Sequence, residues 1–120
     1  MPGEDKRAAP RFSLKLKGNS AAYTAEVAQC GTVHCELLDV SSGGLRGRLL
    51  NPDTLDTPLE RGLVIELQSF ASERLEFMQD KTGTIAWYNQ LGSQFGVRFD
   101  DNLPKDDVEA LIFHFSSFFG

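Results

Sequence analysis

Apolar and polar residues alternate with period two near the start of this chain. Phe12-Ser13-Leu14-Lys15-Leu16-Lys17 is the first such run. It predicts a half-buried strand over residues 12–17. Gly18-Asn19-Ser20 then reads as a turn. Further strands are read over residues 23–29, 32–40, 45–50, 63–67, 75–79, 82–88 and 94–99. Ser41-Ser42-Gly43-Gly44 breaks two of them as a hairpin would, and residues 51–58, with Pro52 and Pro58, form a loop. Strands at such regular spacing suggest a small barrel or sandwich. The period changes after Leu103-Pro104. Proline suits the first position of a helix, and Asp106, Asp107 and Glu109 favour the positive end of its dipole. Val108, Leu111, Ile112, Phe115 and Phe119 make one apolar stripe that should lie on the barrel. Phe113 falls off that stripe, as a lone surface aromatic or as a contact point.

At 120 residues the chain has room for one domain, large enough to fold without staples. The first eleven residues are polar, with Pro2, Gly3 and Pro10. They read as a flexible arm (1–11) ahead of a barrel domain with its C-terminal helix (12–120). The arm has no large apolar residue after Met1. Its ordering entropy, about 1–2 kcal/mol per residue, is therefore unrepaid unless a ligand supplies the difference. No apolar run approaches the roughly 20 residues of a membrane span. The N-terminus lacks the apolar stretch of a secretory signal, so the cytoplasm is the expected compartment.

The formal net charge is −5, but it is unevenly spread. Lys6, Arg7, Arg11, Lys15 and Lys17 gather near the start, and Asp100, Asp101, Asp106, Asp107 and Glu109 near the end. An acidic chain with one basic patch is poorly suited to binding nucleic-acid polymers, which takes many phosphate contacts. It can still hold a small anion, or the patch is a solvated tail. Cys30 and Cys35 flank His34, but the other histidine, His114, is far along the chain. Cys35 alternates with Val33 and Leu37, so packing explains it more simply than a metal site. With two histidines and no supporting motif, a nucleophile relay has little to draw on. Ser42-Gly43-Gly44-Leu45-Arg46-Gly47 lacks both the phosphate-loop lysine and a dinucleotide fingerprint. No catalytic residue, metal or cofactor is expected.

Two short motifs carry a resemblance. Arg7-Ala8-Ala9-Pro10-Arg11 matches the RxxxR motif of PilZ domains, and Asp39-Val40-Ser41-Ser42-Gly43-Gly44 matches their [D/N]xSxxG motif. Gly83-Thr84-Ile85-Ala86-Trp87, followed by Phe95-Gly96-Val97-Arg98-Phe99, resembles the family's closing hairpin. The resemblance implies a mainly β fold, a six-stranded antiparallel barrel with a C-terminal helix, that binds cyclic di-GMP through Arg7, Arg11, Asp39, Ser41 and Gly44. It also draws attention to Lys6, Gly43 and Trp87. In this family the residue at the place of Lys6 is associated with ligand stoichiometry. A basic one resembles members that take an intercalated ligand dimer.

The residue chemistry is compatible with that ligand. Arginine's planar fork holds a phosphate, or guanine O6 and N7, with two bonds. Pro10 biases Ala9 toward an extended conformation. A carboxylate such as Asp39 accepts the N–H donors of guanine's other edge, and Ser41 donates or accepts at short range. Gly44 lets backbone approach the ligand and can take positive φ. Without the arginines upstream, Asp39 to Gly44 would read as an ordinary turn. Trp87 stacks on a guanine or an arginine, or is a core residue. The expected output is a conformational change signalled to a protein partner. The alternatives are an adaptor of the same fold that binds protein and no nucleotide, and an oligonucleotide-binding barrel, which the acidic charge disfavours.

Overall fold

The computed structural model describes residues 12–13, 21–55 and 57–116. Within them, strands β1 (Phe12–Ser13), β2 (Ala22–Val27), β3 (Gly31–Ser41), β4 (Gly44–Leu49), β5 (Val64–Phe70), β6 (Thr82–Asn89) and β7 (Gln94–Phe99) precede helix α1 (Lys105–Ser116). The order β3-β2-β5-β6-β7-β4 closes on itself through a β3–β4 pairing. The result is a closed six-stranded antiparallel barrel, and the two-residue β1 lies against the far half of β3 at Val40 and Asp39. Closure removes the open edges that would otherwise invite pairing with other chains.

The period-two pattern is what fills the barrel. Val33, Cys35 and Leu37 on β3, Leu45 and Leu49 on β4, Ile65 and Leu67 on β5, and Phe95 and Val97 on β7 are all buried. Cys35 is thus a packing residue, in phase with Val33 and Leu37, and both cysteines are free thiols.

Three one-residue register shifts interrupt the alternation, one of them between β2 and β5, where Gln68 is the extra residue. On β3 the pairing slips between Leu37↔Gly47 and Asp39↔Arg46, leaving Leu38 as the extra residue. On β6 it slips between Ile85↔Val97 and Trp87↔Gly96, leaving Ala86 as the extra residue. A bulge of this kind moves every later side chain to the opposite face. Strict alternation would have sent Asp39 inward after Val33, Cys35 and Leu37. Instead Val40 enters the core, while Asp39 and Ser41 take the outer face. Trp87 likewise turns outward, and Tyr88 packs against the core in its place.

Residues 75–79, expected as a strand, form a 3-10 helix instead (Glu73–Met78). Leu75 and Met78 are its fully buried members, three residues apart, which is one turn of that helix. The Ser72 hydroxyl accepts from the Arg74 N–H and starts it. Pro104 sits one position earlier than expected, just ahead of the helix, where its carbonyl accepts from the N–H of Val108. Val108 and Leu111 are buried as the stripe requires. The side chains of Ile112, Phe113 and Phe115, and all of Phe119, lie outside the described residues, as do residues 14–20.

One buried group is poorly served. Tyr23 stacks on Phe70 at 5.3 Å between ring centroids. Its hydroxyl is buried without a hydrogen bond of good geometry, beside the Cys35 thiol. Burial first, and then Cys35, push its pKa well above the usual value, and burial pushes Cys35 from 9.0 up to about 12. Both folded-state values exceed the unfolded ones, so the folded chain retains protons that the unfolded chain releases. Stability is therefore intact below about pH 9 and falls as the pH rises toward 12. Tyr23→Phe deletes an unsatisfied polar atom. Thermal melts should show unchanged or slightly raised stability at neutral pH, by up to about 1 kcal/mol, and a shallower alkaline decline.

Candidate ligand-binding face

The β3 and β6 bulges assemble one face of the barrel. Asp39 on β3 pairs with Arg46 on β4, Arg46 with Gly96 on β7, and Gly96 with Trp87 on β6. Cross-strand partners project on the same side, so these four residues form a single outward row across four strands. Arg46 Nε donates to Asp39 Oδ2 at 2.9 Å. The carboxylate is almost fully buried, with 3% of its side chain exposed, whereas Arg46 is 40% exposed. The pair therefore fixes the carboxylate's orientation and leaves much of the guanidinium in solvent. Trp87 is 41% exposed and lies against Gly96, where a β-carbon would overlap the indole nitrogen. The core alternative for Trp87 is overturned: it is an open aromatic surface at one end of a charged row.

The adjoining row is Ser41, Gly44, Arg98 and Thr84. Ser41 is buried, and its hydroxyl donates weakly to the Gly44 carbonyl at 3.5 Å. A β-carbon on Gly44 would overlap the Val97 carbonyl oxygen. Its absent side chain therefore serves the close approach of β4 to β7. The positive φ expected of Gly44 is not found; among described glycines it occurs at Gly31, Gly62 and Gly92. On the other side of the first row, Arg48 is held by Glu36 through two bonds of 3.1 and 2.5 Å.

The hairpin between Ser41 and Gly44 has Ser42 and Gly43 at its tip, neither with positive φ. Two-residue hairpins usually rely on positive φ to match the strand twist. This one is braced from outside. The Phe99 N–H donates to the Gly43 carbonyl at 2.9 Å, and the Leu103 N–H to the Ser42 carbonyl at 2.7 Å. The segment after β7 therefore grips the hairpin tip and runs straight into α1.

Asp39, Ser41, Gly44 and Trp87 thus share one face, with Gly43 at its end. Arg7, Arg11 and Lys6 lie outside the described residues. Ser13, two positions after Arg11, pairs with Asp39 itself. Arg46, Gly96 and Arg98 stand in these rows too, though the motifs do not mark them as site residues. The alternation Leu45-Arg46-Gly47-Arg48-Leu49 already put two arginines on the polar face of one strand. Their alignment with Asp39 and Trp87 depended on the bulges, which leave no mark in the pattern.

The architecture defines a small closed β-barrel module with a charged outer row and a helix after its last strand. The family model for the PilZ domain matches residues 5–116, nearly the whole chain. The chain belongs to the PilZ domain family, a family of cyclic di-GMP receptors rather than enzymes. Comparison with curated proteins found no match. No helix among the described residues is long and apolar enough to cross a membrane.

Proposed function

We propose that this protein is a cyclic di-GMP receptor that takes the dinucleotide on the outer row running from Asp39 to Trp87. The observation that carries the reading is that row, with a buried, oriented carboxylate at one end, an open indole at the other, and Arg46 and Gly96 between them. Asp39 accepts the N–H donors of a guanine edge. Trp87 offers a flat surface for a base, and stacking of that kind is worth about 1–3 kcal/mol per base. Gly96, with no β-carbon, lets the indole lie close against the strand. Arg7 and Arg11 supply the two-bonded grip on phosphate or on guanine O6 and N7, and β1 brings the chain that follows them beside Asp39. No cofactor or chemical step is involved.

The output follows from the same connections. Ligand binding orders the arm over the barrel face, an order–disorder switch. A shift of the hairpin tip reaches α1 through the Ser42 and Gly43 carbonyls and their donors in the 99–103 segment. The altered surface then meets a protein partner.

Trp87 is the chain's one tryptophan, which makes it a clean reporter. Titration with cyclic di-GMP is expected to change its emission saturably. In Gly96→Ala the new β-carbon displaces an exposed side chain, which can move at little cost. That variant is expected to melt close to the native protein, to show shifted emission and to bind roughly tenfold more weakly, as loss of one stacking contact implies. Unchanged affinity in a variant with shifted emission would remove Trp87 from the site.

A further inference from the structure

Three arginines project from the outer face of β4 and β7, and they are not equivalent. Arg46 is held by Asp39 and Arg48 by Glu36. Arg98 is exposed and makes no ion pair or hydrogen bond with any described residue. It projects outward because Phe95, Val97 and Phe99, on the other phase of β7, are buried. Its cross-strand neighbours are Gly44 on one side and Thr84 on the other. Gly44 has no side chain to meet the guanidinium, and Ser41 beyond it is buried.

We propose that Arg98 is a further ligand-contacting residue of this face, a phosphate holder; the proposal rests on the receptor reading above. Two residues along a strand span about 6.5–7 Å. Arg98 therefore stands one row from the Asp39–Trp87 line, on the side of the Ser41–Gly44 hairpin. A base on that line leaves its nucleotide's phosphate displaced toward a neighbouring row. An uncommitted guanidinium there offers two parallel donors to a phosphodiester without first breaking an internal ion pair. Arg48 is tied to Glu36 through both Nε and Nη2, and Arg46 already spends its Nε on Asp39. A solvated surface arginine with no role is the competing account, and it predicts no effect on binding.

The test is a titration of native protein, Arg98→Ala and Arg98→Lys with cyclic di-GMP at low and at high salt, with melting temperatures of all three. Arg98→Ala is expected to melt like the native protein, to bind about tenfold or more weakly, and to lose affinity less steeply as salt rises. Arg98→Lys retains the charge but not the planar fork, so it is expected to recover only part of the loss. If Arg98→Ala bound as tightly as the native chain, the proposal would be overturned and the receptor reading left standing. Full recovery by lysine would also overturn it, by assigning the effect to a diffuse field. No binding by the native chain would overturn the receptor reading, and this inference with it.

Discussion

Gly44→Ala is expected to destabilise the barrel by roughly 2–3 kcal/mol or more, a loss typical of forcing an extra carbon into a closed space. The added β-carbon would overlap the Val97 carbonyl oxygen and come within 3.3 Å of its carbonyl carbon. Those are backbone atoms in the β4–β7 ladder, so no side chain can swing aside. Relief requires parting the two strands that close the ring, at the point where Gly44 pairs with Arg98. Gly43→Ala is the matched control. A β-carbon there would meet only the Asn102 Oδ1, at 3.8 Å, an ordinary contact. Thermal or denaturant melts of the two variants should differ sharply. Equal stability would show that β4 and β7 are not held at this separation.

Arg7→Ala and Arg11→Ala are each expected to reduce cyclic di-GMP affinity by about ten- to hundredfold or beyond detection, with the melting temperature unchanged. A charge-assisted hydrogen bond contributes roughly 1.5–3 kcal/mol, and each 1.4 kcal/mol is a factor of about ten. Asp39→Ala should weaken binding more than folding, because its partner Arg46 is 40% exposed and can turn to water. Calorimetric titration and a melt on the same samples separate the two effects. A large fall in melting temperature with unchanged affinity would make Asp39 a turn residue. Backbone amide exchange gives the dynamic counterpart. Residues 1–11 should exchange freely without ligand and be protected with it, and the amides of Phe99 and Leu103 should change with them. An arm equally protected in both states would remove the ordering step even if the ligand bound.

Much of this architecture was legible because a closed barrel has one inside. The alternation in residues 32–37, 45–49 and 94–99 sorts core from surface directly, and the hairpin at Ser41 to Gly44 announces itself through small residues. Residues 75–79 misled because Leu75-Glu76-Phe77 alternates as a strand does, whereas burial follows Leu75 and Met78. The site was legible as a list of motif residues but not as a surface. Asp39 falls on the apolar phase of its strand, a placement that makes physical sense only if the chain bulges before it. Leu38 and Ala86 do not look like bulge residues, since the extra residue is set by how neighbouring strands fit and not by its own chemistry. Trp87 therefore stayed ambiguous between core and surface, and Arg46 went unnoticed.

The most direct test of the receptor reading is isothermal titration of the native protein with cyclic di-GMP, with GTP as the control. GTP presents the same guanine edge and more negative charge, but it lacks the second base and the ring of two phosphodiesters of the dinucleotide. The account predicts saturable heat with cyclic di-GMP, an affinity that falls as salt is raised, and none of this with GTP. Absence of heat with cyclic di-GMP, or equal binding of both nucleotides, would contradict it and favour a PilZ-fold adaptor that recognises protein alone.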